Sequence, residues 1–185
     1  MVSILELVIS FNTMVRKLLL LIILLIWSVS YCEALQIFQT PKAFVNNTFE
    51  DNPPKAKVLW LTKNLRPMVK EILHHNYIKR RIQYWSKGSK STWILQETGK
   101  EKLITIGIVV DEDKISEIKV LEFREKRGDE IRHAFFTDQF VGAFLKSSTQ
   151  LDRHIDGISG ATLSVNAMKK LARLALYLDR IINEK

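Results

Sequence analysis

Cysteine is almost absent from this chain. Its 185 residues include one, Cys32, and that one lies in an N-terminal apolar stretch behind a bulky Tyr31, a poor neighbour for lipid attachment. If the stretch is removed, no thiol remains. Disulfides, iron–sulfur clusters and cysteine nucleophiles are then excluded. Histidine is scarce too. Of the four, His74 and His75 are adjacent, so on a helix they face different sides and cannot share a metal; His133 and His154 stand alone. No spacing of His, Asp and Glu resembles a zinc or calcium site, which leaves the histidines as surface or hydrogen-bonded side chains. There is no internal repeat and no low-complexity tract. Hydrophobic residues make up 46% and charged residues 26%, an ordinary globular balance for a single domain with an extension.

The extension has the layout of a secretory signal. Met14 is followed by two cations, Arg16 and Lys17, then an apolar run from Leu18 to Trp27 and a small-x-small ending at Cys32-Glu33-Ala34. Cleavage is expected after Ala34, making residues 1–34 the signal. Met14 is the better start, with residues 1–13 an upstream addition. The alternative is a retained anchor, extended through Ser28 to Tyr31. Either way Arg16 and Lys17 stay in the cytoplasm and the rest lies outside it, in the periplasm. Loss of residues 1–34 leaves the net charge at +8.

Residues 35–54 read as an irregular arm ending in "EDNPP", before a single domain over 55–185. From Lys55 to Tyr77 the spacing of Val58, Leu61, Leu65, Val69, Ile72 and Leu73 predicts a helix, broken or kinked at Pro67. "RRIQYWSKGSKSTWILQETG" reads as a hairpin turning at Lys87 to Lys90 around Gly88. "KLITIGIVVDEDKISEIKVLEFRE" is the clearest strand pair. Ile104, Ile106, Ile108 and Val110 share one face; Thr105, Gly107 and Val109 share the other; Asp111 to Lys114 make the turn. Gly107 within a strand predicts close approach by another backbone or a ligand. A helix is expected after Thr137, capped by it, with Phe140, Val141, Phe144 and Leu145 inward. A last helix starts near Leu163 or Ser164, with Val165, Met168, Leu171, Ala172, Ala175, Leu178 and Ile182 as its apolar stripe. The order implies an α+β domain, an antiparallel sheet packed by helices.

Two features could carry function. Cations at 79–81 and from Lys87 to Lys90 are interleaved with Tyr84, Trp85 and Trp93. That pattern can serve single-stranded nucleic acid, but the export signal argues for no nucleic acid. Anionic lipid, an acidic redox partner or a merely solvated surface remain open. The second feature is "DGISGATLSVNAM", residues 156–168. It gathers Asp156, Gly157, Ser159, Gly160 and Thr162 at the mouth of a helix, where unpaired N–H groups attract phosphate. It is neither a Walker loop nor a dinucleotide fingerprint. The residues alone allow a capped turn or a phosphate site.

"DGISGAT" resembles the Asp-x-x-Ser-Gly-Ala-Thr pattern of the FMN-binding domain family. That family includes the C subunit of the sodium-pumping NADH:quinone reductase and the G subunit of Rnf complexes. The resemblance extends over residues 100–180. "ITIGIVVDEDKISEIKVLEF" is similar to the family's strand pair, with Asp111 before its turn, and "FTDQFVGAFL" to its aromatic-Gln-Phe-x-Gly segment. Where the family often has Glu-Thr-Pro-Gly, this chain has "EKRG", Glu125 to Gly128. The resemblance implies FMN tied to Thr162 by a phosphodiester. Asp156, Gly157, Ser159, Gly160 and Ala161 would be the surrounding recognition element, and Ser164 an ordinary helix cap. It further implies a Mg²⁺-dependent flavin transferase using FAD and releasing AMP. The protein would be an electron carrier between a membrane redox complex and a periplasmic redox partner, rather than a stand-alone oxidoreductase. The alternatives are a non-covalent FMN or phosphate-ligand module, and an assembly or docking protein. Trp85, Trp93, Phe135 and Phe140 are the candidates for stacking on a flavin.

Overall fold

The computed structural model describes residues 13, 15–22, 35–147 and 149–184. Residues 15–22 are helical; the rest of the apolar run and the expected cleavage point after Ala34 lie outside the described residues. Among the described residues, no helix is long and apolar enough to cross a membrane. Residues 34–185 form one compact unit.

That unit is α+β. Its strands are β1 (Gln36–Ile37), β2 (Lys57–Trp60), β3 (Arg81–Lys87), β4 (Lys90–Thr98), β5 (Leu103–Asp111) and β6 (Lys114–Phe123), with a short hairpin of β7 (Leu145–Ser147) and β8 (Gln150–Leu151). Its helices are α1 (Pro41–Thr48), α2 (Arg66–Leu73), the short α3 (Ala134–Thr137) and α4 (Thr162–Asn183). The sheet is antiparallel throughout, in the order β1-β6-β5-β4-β3-β2. Both expected hairpins are present. In the β5–β6 turn, Glu112 and Asp113 adopt left-handed backbone, the conformation that a two-residue hairpin turn requires.

α4 holds the sheet together. Val165, Met168, Leu171, Ala172, Ala175 and Leu178 are buried with Trp93, Leu95, Ile104, Ile106 and Ile108 in one core. The face of α4 expected from the spacing is the face that is buried. A smaller cluster of Phe44, Val109 and Leu121 lies on the other side of the sheet, beneath α1. β5 is therefore covered on both faces, which is why its sequence is apolar almost without interruption.

Four local expectations need correction. Residues 35–54 are not an irregular arm: they hold β1 and α1, started by Pro41 at the first helical position and by Thr40, whose Oγ1 accepts the Ala43 N–H at 3.2 Å. Residues 55–77 are not one helix. Leu59 is buried while Val58 and Trp60 face outward, the alternation of a strand. Pro67 sits in the first turn of α2, where no intrahelical N–H is needed, so it begins that helix rather than breaking it. No α-helix follows Thr137, which ends α3; a single 3-10 turn, Asp138–Phe140, comes next, and the Thr137 side chain does not cap it. Beyond it Phe140 and Leu145 are buried, but Val141 and Phe144 are exposed. The backbone there turns to pair with β6: Gly142 N donates to Ile115 O at 2.7 Å, and Ile115 N to Ala143 O at 2.9 Å. At Gly107 the close approach comes from a side chain, neither backbone nor ligand. A Cβ built there would lie 2.5 Å from the Phe44 ring.

A polar network is buried beneath α4. Trp93 Nε1 donates to Ser91 Oγ at 2.7 Å, Ser91 Oγ donates to Asp179 Oδ1, and Asn183 Nδ2 donates to Asp179 Oδ2 at 3.2 Å. Burial pushes the Asp179 carboxyl up to about 6, with Asp113 and Asp111 adding to the rise against the opposing Ser91 bond. The folded state therefore holds this proton more tightly than the unfolded chain does. Stability is greatest below the unfolded pKa and falls as pH rises through about 6. Asp179→Asn should flatten that decline, with a gain at neutral pH of at most about 3 kcal/mol, read from denaturant unfolding over a pH series. Gly107→Ala should cost about 1–3 kcal/mol in the same assay, because the Phe44 ring cannot be cleared without moving α1.

Candidate functional site

The loop entering α4 is pinned at every third residue. Ile155 and Ala161 are buried and Ile158 packs against the core, while Asp156, Gly157, Ser159, Gly160 and Thr162 face solvent. The spacing that looked like surplus capping is thus an anchored loop displaying its polar residues. Gln139 fixes its start: its Oε1 accepts the Asp156 N–H at 2.7 Å. His154 Nε2 lies 3.7 Å from Asp156 Oδ1, both exposed. Gly160 has φ +82°, a backbone conformation that side chains strain to adopt, and a Cβ at Gly157 or Gly160 would meet only open space.

α4 begins one residue earlier than expected, at Thr162, and no side chain caps it. The cap position belongs to Ala161, which has no acceptor. Ser164 is not a cap either. It is buried, and its Oγ would lie 2.6 Å from a Cβ on Gly128, so it serves the contact between α4 and the segment after β6. The helix start therefore keeps its N–H donors and positive dipole end available, with the exposed Thr162 hydroxyl at its first position.

Thr162 lines a cleft of about 440 Å³. Gly160, Ala161, Leu163 and Ser164 share its α4 side, and Lys100, Glu101, Glu125, Lys126 and Arg127 face them. The far wall is held by Glu125. One carboxylate oxygen, Oε1, accepts the backbone N–H groups of Lys100, Glu101 and Lys102 at 2.6, 2.7 and 2.8 Å. Burial alone would raise this carboxyl; the three donors and the Lys100 charge more than offset it and hold it below the usual carboxylate range. Lys126 and Arg127, the departure from the family pattern, are exposed and bring two cations to the cleft. Across Leu163 lies a second cleft of about 580 Å³, with Arg153, His154, Lys169, Lys170 and Arg173 in its wall.

Residues 99–177 match the family model described as FMN-binding domain. Over this stretch, somewhat under half of the chain, the protein is similar to that family. The match begins at the β4–β5 turn and runs into α4, so both walls of the Thr162 cleft fall inside it. Among curated proteins, none matches the chain. The domain indicates FMN as cofactor, and the cleft suits it. It offers a hydroxyl, an uncapped helix start and a facing wall of three cations and two acids, beside open volume of ligand size.

The stacking candidates divide. Trp93 and Phe140 are fully buried, Trp93 stacked on Tyr84 at 4.9 Å and Phe140 edge-on to Phe136 at 5.5 Å, so neither can reach a ligand. Trp85 lines a groove on the sheet face away from α4. Phe135 alone of the four is largely exposed on the α4 side, stacked on His133 in the segment that carries Gln139. Reading the sequence alone missed Gln139 and the triple acceptance by Glu125. Both lie in segments that resemble the family, but their partners could not be read there, since each acts on backbone far away in the chain. Among the described residues, no cluster of metal-ligating side chains occurs.

Glu125→Ala should lower stability by about 1–3 kcal/mol at neutral pH, because it orphans the donors at Lys100 to Lys102. The Glu125 carboxyl is depressed in the folded state, so its contribution is present at neutral pH and is lost as pH falls through the folded value. Denaturation curves of the two proteins should converge at acid pH.

Proposed function

We propose that this protein is an exported flavoprotein that carries FMN in phosphodiester linkage to Thr162 and passes electrons between a membrane redox complex and a periplasmic partner. The observation that carries this reading is the exposed Thr162 hydroxyl at an uncapped helix start, on the edge of a cleft that faces it with Lys126 and Arg127, within the match to the FMN-binding domain. When bound, FMN supplies electron transfer in steps of one or two, and the protein tethers and orients it.

Each neighbouring residue has a part. Asp156, Gly157, Ser159, Gly160 and Ala161 present the threonine in an open loop to a flavin transferase. Gly157 and Gly160 leave room for a bulky donor to approach the backbone. In the attachment, the Thr162 oxygen bonds to the phosphorus of the flavin side of FAD, the bridge between the two phosphates breaks, AMP leaves, and the hydroxyl proton is released. Mg²⁺ belongs to the transferase. The remaining phosphodiester charge would then face the α4 N-terminus, with Lys126 and Arg127 opposite.

Intact mass spectrometry tests this after co-expression with a flavin transferase in an exporting host. The expected gain is one FMN less one water, absent in Thr162→Ala. An unchanged wild-type mass, with the transferase active on a control protein, would refute the linkage. Yellow colour lost on denaturation would instead show FMN held without a covalent bond.

A further inference from the structure

The basic excess of this protein is confined to one stretch. Between Lys55 and Lys90 there are ten Lys and Arg residues and one acid, Glu71. Residues 99–177 hold thirteen cations and twelve acids, close to balance. The basic stretch lies wholly before the FMN-binding match, and it folds into one edge of the sheet: β2, α2, β3 and the start of β4.

The same edge exposes apolar surface. The aromatic residues interleaved with its cations divide between the two sides of the sheet. Tyr84 and Trp93 stack inward. Trp85 turns outward and, with Val58, Trp60, Gln83 and Ile94, lines a groove of about 800 Å³. Lys79, Arg80 and Arg81 border this groove, and no acidic residue lines it. Trp60 is 59% exposed, and Ile78, in the turn between α2 and β3, is 91% exposed. The apolar tip projects, with Tyr77 and Lys79 on either side of it in the groove wall.

We propose that this edge docks on an anionic lipid surface. A projecting isoleucine suits the soft boundary of a bilayer better than a rigid protein pocket. Tryptophan favours the headgroup level, where its ring is buried and its N–H stays wet. The surrounding cations, free of nearby acids in the groove, complement anionic headgroups, each contributing about fivefold in binding. The β2–β3 edge would then hold the domain against the membrane whether or not the N-terminal segment is retained.

A fluorophore placed at Ile78→Cys in a Cys32→Ser background of the full chain reads contact at this edge, independent of how the N-terminus behaves. Vesicles of phosphatidylcholine mixed with phosphatidylglycerol should shift its emission to the blue, vesicles of phosphatidylcholine alone should not, and high salt should reverse the shift. Arg80→Gln with Arg81→Gln should weaken binding on the order of twentyfold. Ile78, Arg80 and Arg81 are exposed, and far-UV circular dichroism checks that each variant folds. The same fluorophore at Lys146→Cys, exposed on β7 in the hairpin that packs against α4, should stay silent. A silent label at position 78 with phosphatidylglycerol vesicles overturns the proposal and leaves the face to an acidic protein. An equal response to neutral vesicles, or no loss in the double variant, overturns it as well.

Discussion

The seating of α4 on β4 and β5 decides most of what this molecule can present. Its apolar stripe meets Trp93, Leu95, Ile104 and Ile106, and Asp179 near its far end ties it to Ser91 and Trp93. A helix held along its length cannot slide, so the position of its first residue is set by the core beneath it. Ser164 against Gly128 then fixes the first turn to the segment following β6. Thr162 is exposed at the end of a rigid element rather than on a mobile loop, an arrangement that suits precise placement of a bound group.

The cleft beside it depends on a second clamp. Glu125 gathers three backbone N–H groups of the β4–β5 turn onto one oxygen, tying the segment after β6 to a turn more than twenty residues earlier. Burial opposes the charge on that carboxylate, and the three donors together with the Lys100 charge outweigh it. The wall opposite Thr162 is thus as firmly placed as the helix.

The strands with strict alternation or unbroken apolar runs were legible in the sequence, as was the buried stripe of α4. In each the local pattern and the tertiary environment agree. The failures have local causes. The span from Val58 to Leu73 mixes a strand and a helix whose apolar residues happen to fall near one helical period. Pro67 was read as a break because its place in a first turn is visible only once the helix start is known. Thr137 looked like the cap of a long helix, but the pairing of Gly142 and Ala143 with β6 stops the chain after a single 3-10 turn, Asp138–Phe140. At the site, the outward residues from Asp156 to Thr162 were readable from their types, whereas Gln139 and Glu125 reach it from distant positions. Ser164 was misread because a serine in a first turn looks the same whether it caps or packs.

The missing cap on α4 has a consequence for the unloaded protein. Most helices close their first turn with a side-chain acceptor worth about 1 kcal/mol; here that place is taken by Ala161. The domain is therefore built with an unfilled acceptor position at the mouth of its main helix. Any anion fixed there would finish the secondary structure as well as occupy a cleft. Maturation and thermal resistance would then be two readings of one event, and an unloaded chain would be the frailer species.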